Sequence, residues 1–302
     1  YSNLNYITKD NIKNLDTAWV YNNGHVSDRT KSISNNQSTP IFTGNSLIVT
    51  SLDNFVIALN PENGKEKWRI KLKSPTAKRG MTFFDGNIFV PSLEGVFVIN
   101  EHSGILNNTF GKFGLIGTGD KEISLVPPIV FKDKIYIIYK TFLSSHELPS
   151  GKLNWKLDLN GARVWSGISF DKETESLVFV TSNLVNLLGN TKIQNDFSNS
   201  VIVVDSLTGK LRCKFKDTIH DHWDLDMVGN PILLKKKNQT EKLAYAFSKT
   251  GNTFVIELKS CKLKNSDSIK KIKTSNESAI KGEIYSDYQI EVSNPVNLMN
   301  LK

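Results

Sequence analysis

Apolar residues in this chain come in short runs rather than long stripes. Phe55 to Leu59, Ile88 to Val90, Ile135 to Tyr139, Leu177 to Val180 and Val201 to Val204 are each of strand length, and Gly, Pro, Asn and Asp punctuate the stretches between them. No segment sustains a 3.6-residue period, so the pattern predicts an all-β chain. Phe55 to Trp68 and Val201 to Cys213 share one design: an apolar strand, a polar turn ending in Gly, then a second strand. Weaker copies run from Val96 to Asn108 and from Leu143 to Trp155. The turn glycines are Gly64, Gly104, Gly151 and Gly209, and a hairpin turn of this kind needs a residue at positive φ.

Further strands lie between the hairpins. Pro40-Ile41-Phe42 with Leu47-Ile48-Val49, and Pro128-Ile129-Val130 with Ile135 to Tyr139, read as two-strand half blades. Gly-to-Gly spacings of 40, 47 and 58 residues suit a four-stranded propeller blade with loop insertions. About five to six blades' worth of chain is present. From Lys262 to the end the alternation is lost, and residues 262–302 read as an irregular, loop-rich segment.

Four residues past each turn glycine stand Trp68, Asn108, Trp155 and Cys213. Two tryptophans in that register suggest a ring docked against the next unit. Cys213 then occupies a tryptophan position and reads as a small buried hydrophobe rather than a nucleophile. The chain's two cysteines, Cys213 and Cys261, neither indicate a disulfide framework nor exclude a single bridge, and their spacing matches no zinc motif.

Composition narrows the class further. With 302 residues, 39% hydrophobic and 10% aromatic, the chain is long enough for a large single domain or two. The net charge is +8, but the lysines are dispersed. The clusters at Lys235-Lys236-Lys237 and after Lys259 read as solvated loops, and no basic face with interleaved aromatics speaks for nucleic acid. No apolar run approaches the roughly 18 residues of a membrane span. The chain opens directly on Tyr1-Ser2-Asn3-Leu4 without a visible signal peptide, as a mature or trimmed form would.

The densest chemistry lies in His220-Asp221-His222-Trp223-Asp224-Leu225-Asp226, between two strand-like runs. A carboxylate held beside an indole and partly desolvated can act as a general base, and Asp224 is placed for that role; the other reading is that it caps a turn. Asp221 and Asp226 read as organisers of the loop.

These features together resemble the pyrroloquinoline quinone (PQQ) dependent dehydrogenases, and most closely their membrane glucose and quinate dehydrogenase branch. The resemblance is carried in order by Ala18-Trp19, Ser38-Thr39-Pro40, Arg79-Gly80, Val164-Trp165-Ser166-Gly167, Thr181-Ser182-Asn183, the His220 to Asp226 segment, Lys249 to Val255 and Gly282 to Ser286. It implies an eight-bladed propeller, of which this chain covers the first half to two thirds, so that residues 1–302 form a single, incomplete propeller domain. It also implies PQQ with calcium or magnesium, hydride transfer from a sugar, polyol or alcohol, and Asp224 as base. Trp165 would be the floor under the quinone, with Arg79, Lys249 and Gln37 as cofactor contacts; Gln37 stands where the family usually has Glu. Asn183 and Asp224 would be metal ligands. The family draws a further acidic ligand from the loop before the third hairpin, where this chain has Tyr139 to Ser145 without an acid; Glu147 follows in the next strand. Electrons would pass to ubiquinone or a cytochrome. The implied location is the periplasm of a Gram-negative bacterium, with membrane contact only through parts outside this chain. The alternative is a non-catalytic propeller, either a degenerate relative or an interaction scaffold like the PQQ-repeat lipoprotein of outer-membrane assembly.

Overall fold

A computed structural model describes residues 6–25, 37–119, 126–139, 141–183, 195–218, 225–235 and 241–265. Among them the only helical element is a 3-10 turn at Ile12–Asn14; the rest is strand and connection. Twenty strands form five four-stranded antiparallel sheets, and within each sheet spatial order follows chain order. Sheet one holds β1 (Ile41–Phe42), β2 (Leu47–Thr50), β3 (Phe55–Leu59) and β4 (Glu66–Lys71). Sheet two holds β5 (Thr82–Phe84), β6 (Asn87–Ser92), β7 (Gly95–Asn100) and β8 (Leu115–Gly117). Sheet three holds β9 (Ile129–Phe131), β10 (Lys134–Ile138), β11 (Phe142–Glu147) and β12 (Leu153–Asp158). Sheet four holds β13 (Ser169–Asp171), β14 (Ser176–Val180), β15 (Ser200–Asp205) and β16 (Leu211–Lys216). Sheet five holds β17 (Met227–Lys235), β18 (Lys242–Ser248), β19 (Thr253–Glu257) and β20 (Lys262–Asn265).

The unbroken apolar runs of the middle strands have a direct cause. Successive side chains leave a strand on opposite faces, and here each inner sheet is covered on both. In β14, Leu177 and Phe179 pack into the core shared with sheet three, while Val178 and Val180 pack into the core shared with sheet five. In β6, Ile88 and Val90 face sheet one and Phe89 faces sheet three. Four apolar cores thus alternate with five sheets, as in a propeller.

The turn glycines behave as expected, with φ of 69°, 69°, 74° and 71° at Gly64, Gly104, Gly151 and Gly209. Indoles dock on three of them. Trp68 of sheet one donates from Nε1 to the Glu101 carbonyl (2.8 Å) and Trp155 of sheet three to the Ser206 carbonyl (3.0 Å), each over the following sheet's glycine. Trp19 docks on Gly64 in the same way and donates to the Pro61 carbonyl at 3.0 Å. Between sheets two and three no indole is present among the described residues. There the Gly111 N–H donates to the Pro149 carbonyl (2.8 Å), and Phe84, Phe89, Phe110, Leu148 and Pro149 line a small pocket.

Three expectations need correction. The strand expected before Asn108 is reduced to an isolated Ile99–Leu106 bridge, and the outer strand of sheet two forms later, as β8. The segment expected to be irregular from Lys262 begins with β20, and 266–302 lie outside the described residues. Cys213, expected to be a small buried hydrophobe, is half-buried and bonded to Cys261 in a disulfide, the single bridge that the sequence left open.

Candidate functional site

In a four-stranded antiparallel sheet, links between the second and third strands open on the same face as links to the next sheet. Every expected site residue among the described ones lies in such a link: Gln37 before sheet one, Arg79 between β4 and β5, Trp165 between β12 and β13, Asn183 between β14 and β15, and Lys249 between β18 and β19. Asp224 and the rest of His220 to Trp223 lie outside the described residues. The pocket beside Pro149 is on the opposite face, because Lys132, Asp133 and Pro149 belong to the other set of links.

Arg79, Gln37 and Trp165 form one group. The Arg79 Nε–H donates to Gln37 Oε1 at 2.9 Å, and its Nη1 donates to the Trp165 carbonyl. The guanidinium carbon lies 5.0 Å from the indole centroid, within cation–π range. Burial lowers the Arg79 pKa from its ordinary value through desolvation. The Gln37 N–H donates to the Lys78 carbonyl at 3.2 Å, which ties the segment before sheet one to this link. Trp165 Nε1 and Ser166 Oγ are buried without a hydrogen-bond partner. A buried polar atom left unmet costs about 1–3 kcal/mol, so this pair is costly unless a polar molecule meets it. The next residue is glycine for a steric reason: its N–H donates to Asn230 Oδ1, and a Cβ there would lie 2.5 Å from the Asn230 amide nitrogen.

Asn183, Asp226 and Lys249 form the second group. Asp226 is 7% exposed. Its Oδ1 accepts the Asn183 N–H at 2.8 Å, its Oδ2 is 3.5 Å from Lys249 Nζ, and its carbonyl accepts the Lys249 N–H at 3.0 Å. The loop-organising role read for Asp226 is thus visible as three contacts that join its own link to two others. The Ser182 N–H donates to the Arg163 carbonyl at 2.8 Å, which joins this group to the Trp165 segment.

Asp217 was missed by the sequence reading. It follows β16 and accepts from Ser248 Oγ (2.5 Å), Thr250 Oγ1 (3.0 Å) and Asn252 Nδ2 (2.6 Å), so it fixes the turn that presents Lys249. Its sequence signal was weak, because its donors lie 31 to 35 residues away.

Among the described residues no group of three or more His, Cys, Asp or Glu side chains is placed to hold a metal ion. Asn183 and Asp226 are the oxygen-bearing side chains of the second group, and Asp226 is already engaged. Glu147 pairs with Lys134 at the far end of sheet three, away from the site face.

The profile of the PQQ glucose/ethanol/alcohol dehydrogenase β-propeller domain matches residues 1–142 and 139–263. The quinoprotein glucose dehydrogenase A of Acinetobacter calcoaceticus is 26% identical over 85% of this chain and 41% of its own length. The quinate/shikimate dehydrogenase (quinone) of Acinetobacter baylyi is 21% identical over 84% of this chain and 40% of its own. The chain therefore spans about two fifths of the length of these relatives. Among solved structures, a europium-containing methanol dehydrogenase superposes with a TM-score of 0.71 over 89% of this chain and 56% of its own, at 19% identity.

Proposed function

Because the chain belongs to the PQQ glucose/ethanol/alcohol dehydrogenase β-propeller family, we propose that it forms the cofactor-binding part of a quinoprotein that oxidises an alcohol, polyol or sugar. The observation that carries this reading is the pair of buried, unpartnered polar atoms on Trp165 and Ser166 beside the Arg79 cation. Such a set suits a flat, polyanionic ligand. Trp165 would provide the planar apolar surface, and its N–H and the Ser166 hydroxyl would meet polar atoms of the ligand. Arg79 and Lys249 would hold carboxylates and stabilise charge that develops during reduction. When bound, PQQ supplies the electron-accepting quinone.

Asp226 is held by the Asn183 N–H and by Lys249, so its part is to hold the site together. The proton-accepting role falls to Asp224, on its match to the family's aspartate, and Asn183 with Asp224 would bind calcium or magnesium. Ubiquinone or a cytochrome would take the electrons. A periplasmic location is supported by the Cys213–Cys261 bridge, since disulfides persist in oxidising compartments.

Titration with PQQ in the presence of calcium, followed by quenching of tryptophan fluorescence, tests the reading. Saturable binding at micromolar PQQ is expected, and Trp165→Ala should weaken it at least tenfold, about 1.4 kcal/mol. Absence of saturable binding, or unchanged affinity in Trp165→Ala, would overturn the proposal.

A further inference from the structure

We infer that the Cys213–Cys261 bridge is a positioning latch for sheet five, standing where an indole on a glycine stands between sheets one and two and between sheets three and four. Register makes the first half of the case. Trp68 lies opposite Ala58, with a register shift immediately after Ala58; Trp155 lies opposite Ser145, with a shift immediately after Ser145. Cys213 lies opposite Val203, with a shift immediately after Val203. All three side chains therefore leave the fourth strand of their sheet at one equivalent place.

The turn that receives them makes the second half. Gly104 and Gly209 end the third-to-fourth-strand turns of sheets two and four, at φ of 69° and 71°. In both turns the residue four before the glycine caps the backbone. Asn100 Oδ1 accepts the His102 N–H at 3.1 Å, and Asp205 Oδ1 accepts the Leu207 N–H at 3.1 Å. Sheet five repeats this turn: Glu257 accepts the Lys259 and Ser260 N–H groups at 3.1 and 2.9 Å, and Cys261 takes φ of 56° where the others have glycine. Left-handed backbone at a non-glycine residue is uncommon, so cysteine occupies this place against its conformational preference.

The two replacements depend on each other. A Cβ at Gly104 would lie 2.5 Å from the Trp68 ring, and one at Gly209 would lie 2.5 Å from the Trp155 ring. A side chain at position 261 therefore excludes an indole at 213, and a small residue at 213 alone would leave sheet five without a clasp. Two bonded cysteines, with Cα atoms 6.0 Å apart, restore the contact covalently.

The latch matters because part of the site is divided between the two sheets it joins. Trp165 and Asn183 belong to sheet four, and Asp226 and Lys249 to sheet five. Toward the site face the sheets are tied by Asn183 to Asp226, Gly167 to Asn230 and Ser169 to the Pro231 carbonyl. The cystine ties their outer strands at the other face. The two sets of ties together fix the tilt of sheet five, and with it the separation of Lys249 from Trp165.

Thermal unfolding and amide exchange of the purified chain, with and without dithiothreitol, test this. The dithiol gives two electrons and two protons to the cystine, yielding two thiols and its own cyclic disulfide. Reduction is expected to lower Tm by roughly 5–10 °C and to speed exchange in β17 to β20 while β1 to β12 keep their protection. C213S/C261S should behave like the reduced protein. C213W/C261G should recover most of the loss and ignore the reductant, whereas C213W alone should not recover it. Uniform exchange on reduction, an unchanged Tm, or equal behaviour of C213W/C261G and C213S/C261S would overturn the inference. A PQQ titration adds a readout that rests on the functional reading: affinity should fall several-fold in C213S/C261S and return in C213W/C261G. If the wild-type chain binds no PQQ, that reading fails, and the exchange data still decide the latch.

Discussion

Asp217 takes three side-chain hydrogen bonds from the turn that carries Lys249, yet it contacts neither Trp165 nor Arg79 among the contacts described. Its effect on the site should therefore pass through the turn. Hydrogen bonds to a charged group contribute about 1.5–3 kcal/mol each when buried. For this half-exposed residue, Asp217→Ala should cost about 2 kcal/mol in urea unfolding, with faster amide exchange from Lys249 to Asn252. Asp217→Asn, which keeps one acceptor oxygen, should recover part of both effects. His146 gives a second test. It is 2% exposed, its ring nitrogens contact Ser144 Oγ (3.0 Å) and the Gly151 carbonyl (3.1 Å), and burial pushes its pKa below 6.5. Above that value the ring is neutral in both folded and unfolded chains, and it adds no pH dependence. Below it the unfolded chain binds the proton first, so stability falls with pH until the folded pKa is passed. Tm should drop between pH 6.5 and pH 5, and the drop should be smaller in His146→Gln.

At the scale of elements, the latches can be separated from ordinary turn chemistry. Gly86 and Gly209 both have left-handed backbone, with φ of 69° and 71°, but a Cβ at Gly86 meets nothing within 4 Å whereas one at Gly209 strikes the Trp155 ring. Alanine at either should cost about 1–2 kcal/mol for the backbone. Gly209→Ala should lose a further 1–3 kcal/mol or so from overpacking. Equal losses in chemical denaturation would show that the indole contact contributes nothing.

The strands and turn glycines were legible in the sequence because each is set by residues close in the chain: apolar runs of fixed length and Gly at fixed offsets. The tryptophan docking was legible from a shared register. The place of β8 was not, because Asn107 to Gly114 form an insertion whose turns give no alternation. The partner of Cys213 was not, because nothing local marks Cys261 as a turn glycine's replacement. The candidate site was legible only in its members. That Arg79 lies over Trp165, 86 residues away, and that Asp226 joins Asn183 to Lys249, are properties of neighbouring sheets and not of any segment.

For the whole molecule, the candidate site and the latches occupy opposite faces. The links that carry Arg79, Trp165, Asn183 and Lys249 open on one face. The indole latches, the cystine and the His146–Gly151 contact lie toward the other. Substitutions on the latch side should thus move unfolding first and ligand affinity second, and those at Trp165 or Lys249 should do the reverse.

Strand order within every sheet follows chain order, and this has a kinetic side. Most hairpins close over a short stretch, and closure entropy grows slowly with loop length, by about 0.6 kcal/mol per doubling. The indole contacts are the longer reaches, spanning 42, 33 and 51 residues at Trp19, Trp68 and Trp155. A ribosome releasing this chain would deliver each tryptophan before the turn that receives it. Sheets two and four would then close on their own strands and be captured by the indole already waiting on the preceding sheet. Sheet five would wait for an oxidant instead of a ring.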